Sequence, residues 1–144
     1  MPDERTLLAF DYGTQRLGVA LGNMLLGSAR PLEIIDTPVK IKRFTRIEEL
    51  IVAWQPDAFV VGLPLTMDGG EQLVTRQARR FAHQLEGRFG LPVTLVDERG
   101  SSLQAQDIVG NRADDAAAAA IILQRYFDAC SHQGHSGESN ESVI

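Results

Sequence analysis

Apolar and polar positions along the chain follow two different periods. The run TLLAF, Thr6 to Phe10, is almost wholly apolar, and from Leu17 to Gly22 the apolar Leu17, Val19 and Leu21 alternate with small residues. Both stretches read as β-strands, and the short GTQR connection makes them a hairpin. A third strand is expected within Leu25 to Ile35, where Pro31 lacks a backbone donor and so suits a sheet edge. From Lys40 to Trp54 the period changes to that of a helix, with Ile41, Phe44, Ile47, Leu50, Ile51 and Trp54 as the apolar stripe and Pro56 as the stop.

The second half repeats strand and helix. Phe59, Val60 and Val61 are continuously apolar, as in a strand covered on both faces. The loop TMDGG opens a long helix from about Glu71 to Phe89, ended by Gly90. A buried strand, Val93 to Val96, runs into Asp97 and Glu98, and helices are expected over Ser101 to Val109 and Asp115 to Ala129. An antiparallel meander followed by strand, helix, strand, helix is an α/β pattern, one mixed sheet with helices packed on it. Residues 1–130 read as a single domain and the small, polar residues 131–144 as a disordered tail.

Composition narrows the class without identifying the activity. A chain of 144 residues, 44% of them hydrophobic, is long enough for one good core and too short for two ordinary domains. The formal charge of −5 argues against a generally basic nucleic-acid binder. A lone cysteine, Cys130, excludes an internal disulfide framework and points to a reducing compartment. The N-terminus has an apolar run too short for a secretory leader or a membrane span, so a cytoplasmic protein with no membrane partner is expected.

Three acids give the pattern its chemical interest. Asp11 ends the first strand and Glu98 follows the last, and in open α/β sheets ligands gather beyond the carboxyl ends of strands. Asp115 opens the last helix, just ahead of the run Ala116 to Ala120. Each has a plain alternative: Asp11 as a turn former before Gly13, and Asp114 or Asp115 as a helix cap. The alanines would let the last helix lie close to the sheet and bring its N-terminus near the strand ends. Carboxylates converging there would repel unless protonated or neutralised, and their hard oxygens suit Mg2+ or Mn2+.

The segments FDYGTQRLGVALG, VVGLPLTMDGGEQ, VTLVDERGSS and DDAAAAAIILQRYFD, in this order and at these intervals, resemble the YqgF (RuvX) family over Leu7 to about Asp128. That family resembles Holliday-junction resolvases. The resemblance implies a ribonuclease H-like fold, with a five-stranded sheet whose first three strands are antiparallel and with helices on both faces. It implies Asp11, Glu98 and Asp115 as the catalytic and metal-ligating triad, with Asp114 as a cap or outer neighbour. The implied activity is metal-dependent phosphodiester hydrolysis with two divalent ions, in the maturation of pre-16S rRNA for ribosome biogenesis. Resolution of DNA junctions in recombination, or a catalytically silent nucleic-acid-binding module, are the alternatives; a homodimer would match a two-fold substrate.

Substrate contacts are expected from Thr14, Arg99 and Ser102, which otherwise read as helix caps and an ordinary ion pair. Gly69 and Gly70 are expected to leave backbone N–H groups open to an anion near a helix start. Arg76, Arg79 and Arg80 share a helical face, and Lys40, Lys42, Arg43 and Arg46 form a second basic group. Either group could track phosphates or be a solvated helix surface. His132 and His135 with Cys130 make too small a set for structural zinc, and Trp54, Phe81, Phe89 and Phe127 read as packing.

Overall fold

The computed structural model describes residues 4–66, 68–98 and 115–133, the last three of these by backbone alone. Five strands, β1 (Thr6–Tyr12), β2 (Leu17–Asn23), β3 (Ser28–Ile35), β4 (Ala58–Leu63) and β5 (Val93–Asp97), form one sheet in the order β3-β2-β1-β4-β5. The first three pair antiparallel, while β4 runs parallel to both β1 and β5. This is the mixed sheet that the patterning predicts. The β1–β4 pairing follows from a right-handed crossover through the intervening helix.

Pro31 lies in β3, at the sheet edge as expected. The register slips between Val19 and Ala20, which pair with Glu33 and Pro31, so Leu32 is the extra residue of a bulge. A bulge on an edge strand is where a missing backbone donor does least harm. Every residue of β4 is buried, in keeping with its unbroken apolar run and its place between two neighbours.

Helix α1 (Lys40–Trp54) and helix α2 (Leu73–Phe89) cover one face of the sheet. Phe44, Ile47 and Leu50 enter the core as the period predicts, but Ile41 is exposed and Trp54 is only half-covered. The buried stripe includes Arg43 instead of Ile41, because the guanidinium finds two carbonyl acceptors while its stem packs as apolar surface. Trp54, in the last turn, overhangs the core and carries Arg30 at 5.4 Å from its ring centre. The start of α2 is fixed by a capping box between Gln72 and Thr75, whose buried hydroxyl also donates to the Pro64 carbonyl.

Among the described residues, the opposite face is covered by α3 (Asp115–Gln133). It continues past Ala129, where the sequence pattern was expected to end it, through the first residues of the expected tail. No glycine or proline intervenes before Gly134. The helix expected over Ser101 to Val109 lies outside the described residues. Among the described residues, no helix is long and apolar enough to cross a membrane.

Candidate active site

Strand alternation decides which side chains meet on the α3 face. Leu8 and Phe10 of β1 point into the core beneath α1 and α2, so Leu7, Ala9 and Asp11 point toward α3. On β5, Val96 belongs to the α3 face, and Glu98, two residues on, follows the same direction and is buried. Its position is held by a backbone bond from the Glu98 N–H to the Leu63 carbonyl, 3.2 Å. The Arg125 guanidinium donates to the Asp97 carbonyl next to it, at 3.1 Å.

Two glycines make room for the third acid and for the second. Gly18 pairs with Asp11 across the β1–β2 hairpin, and a Cβ there would stand 2.0 Å from the Asp115 carbonyl oxygen. Any side chain at this position would push the head of α3 off the sheet. Gly62 of β4 does the same for Glu98: a Cβ would lie 3.0 Å from Oε2 and 2.5 Å from the Ile122 side chain. The alanine run of α3 is therefore only half of the close contact, and the glycines of the facing strands are the other half.

The electrostatics follow from this crowding. Asp11 is raised to about 7, first by burial and then by the charge of Asp115, with a hydrogen bond to Glu98 pulling the other way. Glu98 is raised to about 8, first by burial, then by the charge of Asp11 and the hydrogen bond to it, and by Asp97. Glu98 is buried and Asp11 half-buried, and two such carboxyls that hydrogen-bond to each other share a proton at neutral pH, because the doubly ionised pair is desolvated and repels itself. Asp11 is the centre of the group, bonded to Glu98 on one side and sensing Asp115 on the other. Asp115 itself pairs with Arg16 from the hairpin loop, Nε to Oδ2, at 2.9 Å.

With Asp115 turned to Arg16 and the other acids turned to each other, no three His, Cys, Asp or Glu side chains among the described residues stand as a closed ligand set. The donor chemistry still fits a divalent cation. Two carboxyls whose repulsion is relieved by a shared proton, beside a third carrying a borrowed arginine, are what hard oxygen ligands look like when a cation's charge is supplied by other means.

The remaining expected contacts divide. Thr14 is exposed at the tip of the β1–β2 loop, beside the acids in the chain. Arg99, Ser102 and Asp114 lie outside the described residues. Arg76, Arg79 and Arg80 ride on α2, which packs against the sheet face opposite Asp11 and Glu98, and Arg79 is bonded to Glu71 at 2.7 Å. In the second basic group Arg43 is buried and Arg46 is paired with Glu33 and Glu49, so neither is available to track phosphates. The Gly69 and Gly70 N–H groups are also taken, by the Thr66 carbonyl at 2.9 Å and the Thr66 hydroxyl at 2.8 Å. These two donors are turned inward, because the loop closes on Thr66.

Sequence reasoning missed Arg16, and it took Arg43 only as one of a basic group. Arg43 donates to the Gly13 carbonyl at 2.7 Å and to the Thr37 carbonyl at 2.6 Å, anchoring the loop that follows Asp11. Its helical position inside the α1 stripe was the available signal; Arg16 left none beyond adjacency to the loop.

Comparison with known proteins bears on what this arrangement is for. The chain is 60% identical over 129 residues to a Bordetella parapertussis protein named "Putative pre-16S rRNA nuclease", covering 89% of this chain and 96% of the relative. A protein of the same name from Ralstonia nicotianae is 55% identical over 130 residues, covering 89% and 90%. Among solved structures, Thermus thermophilus RuvC in complex with a Holliday junction substrate superposes with a TM-score of 0.56 at 21% identity, covering 90% of this chain and 96% of RuvC, a likeness of fold. The RuvX profile, described as Holliday junction resolvase, matches residues 5–129, and the chain belongs to that nuclease family.

Proposed function

We propose that this protein is a divalent-metal-dependent endonuclease that hydrolyses phosphodiester bonds of precursor 16S rRNA, with Asp11, Glu98 and Asp115 as its catalytic carboxylates. The observation that carries the reading is the hydrogen-bonded pair of half-buried Asp11 and buried Glu98, with Asp115 within electrostatic reach on one face of the sheet. A purely structural role would leave such a pair as a cost in stability with no return, since well-packed apolar residues would serve better. The named relatives supply the polymer.

Mg2+ or Mn2+ bound by these oxygens would supply Lewis-acid stabilisation of the phosphoryl charge and a water ionised near neutral pH. The protein's own part is to hold the ligands. Asp11, which interacts with both other acids, would be the ligand held in common, with Glu98 and Asp115 as the further ligands. Loading requires Asp11 and Glu98 to release their shared proton, so affinity for the cation rises with pH. Thr14 on the hairpin loop, and Arg99 and Ser102 just beyond Glu98 in the chain, are the proposed contacts to the nucleic acid.

The test is cleavage of a precursor 16S rRNA leader and of a four-way DNA junction, each with Mg2+ and with Mn2+, by the wild type and Asp11→Asn. The leader is expected to be cut. Loss of groups that merely orient metal ligands costs about 10- to 100-fold, so removing the shared ligand should cost at least about a hundredfold. Equal cutting by Asp11→Asn overturns the site. Cutting of the junction alone replaces RNA by branched DNA, the substrate in the family's description. Failure on both substrates, with no saturable Mn2+ binding, leaves a silent binding module.

A further inference from the structure

The charge at the acidic site is balanced in two different ways, and the second is unusual. Asp11 and Glu98 relieve part of theirs through the hydrogen bond between them, but Asp115 uses the guanidinium of Arg16, at 2.9 Å. The geometry points to Arg16 as an exchangeable cation: it occupies Asp115 while the site is empty of metal, and passes to a phosphate oxygen of the nucleic acid once a divalent ion takes Asp115. This rests on the proposed metal-dependent role of the three acids.

The features of the pair favour exchange over a permanent link. The Arg16 side chain is 59% exposed and that of Asp115 29%, and an ion pair so open to water is weak against a divalent ion that also collects the charges of Asp11 and Glu98. The loop that carries Arg16 does not have to move. Its Gly13 end is held by the buried Arg43, whose guanidinium donates to the Gly13 carbonyl at 2.7 Å, while Thr14, Gln15 and Arg16 stand exposed. Only the long side chain must turn. Once displaced, it stays beside the strand ends, where a scissile phosphate would lie against the acids, and a guanidinium matches two phosphate oxygens by its planar fork. Among the described residues the other arginines are otherwise engaged: Arg43 is buried, Arg125 is bonded to the Asp97 carbonyl, Arg5 is bonded to Tyr126, Arg30 lies over Trp54, Arg46 pairs with Glu33 and Glu49, and the α2 arginines are on the far face.

The experiment uses the full chain with Arg16→Gln and Arg16→Lys, and two readouts other than turnover. Mn2+ binding is measured by calorimetry at fixed pH. Binding of a fluorescein-labelled precursor 16S rRNA leader fragment is measured against salt with Ca2+ in place of Mn2+. Arg16→Gln is expected to tighten Mn2+ about two- to fivefold, by removing a weak competitor for Asp115. It is expected to weaken the RNA complex and reduce its salt slope by about one, with Arg16→Lys intermediate in both. Weaker Mn2+ binding in Arg16→Gln means that Arg16 orients Asp115 for the metal, and overturns the exchange. Unchanged Mn2+ binding, or an unchanged salt slope, overturns it as well. Asp11→Asn separates the two levels: if it binds Mn2+ like the wild type, the acids are not the metal site, whereas if it loses Mn2+, a null result with Arg16 is confined to Arg16.

Discussion

The two faces of the sheet are packed on opposite plans. Beneath α1 and α2 the core is aromatic: Phe10 contacts Phe59 and Phe81 with ring centres 5.8 and 5.6 Å apart, and Phe44 and Phe89 extend the cluster. Beneath α3 the strands present Ala9, Gly18, Ala20, Gly22, Ala58 and Gly62, and the helix answers with Ala116 and Ala119. Large rings bury much area and hold two helices at ordinary distance. Small residues bury less but allow backbone to touch backbone. Both faces hold a buried core, with Leu7, Val60, Ile122, Leu123 and Phe127 on the α3 side, but only the α3 side adds the small residues that bring the head of the helix against the strand ends that carry Asp11 and Glu98.

The contrast is testable, beginning with its largest expected effect. Phe59→Ala, at a fully buried site between two rings, should destabilise the protein by about 3–5 kcal/mol in chemical denaturation, yet leave Mn2+ affinity of the folded fraction unchanged. A parallel loss of metal binding would mean that the two faces are not separable.

Next is pH. Asp11 and Glu98 are raised to about 7 and about 8, so the folded state holds a proton more tightly than the unfolded chain does. Their contribution is therefore fully present below about pH 4, where both states are protonated, and is lost as pH rises through about 7 to 8. In chelator, thermal stability should fall by a few kcal/mol between about pH 5 and 9, and saturating Mn2+ should restore it at the alkaline end. A flat metal-free profile would remove the shared proton from the account.

Gly18→Ala should cost less stability, about 1–3 kcal/mol as an overpacked contact, but should abolish saturable Mn2+ binding by displacing Asp115. If Mn2+ binding survives, the site does not depend on the close approach of α3. Arg79→Ala is expected to be smallest. Its half-exposed pair with Glu71 is worth at most about 1 kcal/mol, and its face is remote from the acids, so RNA affinity should hardly change.

Much of this arrangement was already determined by the order of residues. The apolar run of β1, the alternation in β2, the unbroken apolar β4 and the helical spacing of α1 set the element order, and the resemblance of four ordered segments set the fold and named the three acids. Periodicity carries such information because each element must bury one side, whatever it is buried against. The failures have a common cause. Ile41 and Arg43 exchanged roles, and which sheet face the α2 arginines ride above was not legible, because periodicity defines a stripe but not the neighbours that complete it. Gly18 and Gly62 could be read as small residues of a strand. That they are the floor on which Asp115 and Glu98 rest is a fact about which strand lies under which helix. Likewise only the folded chain could join Arg16 to Asp115, ninety-nine positions apart, or make Asp11 and Glu98 share a proton, since both effects depend on distance and exclusion of water, which a sequence does not contain.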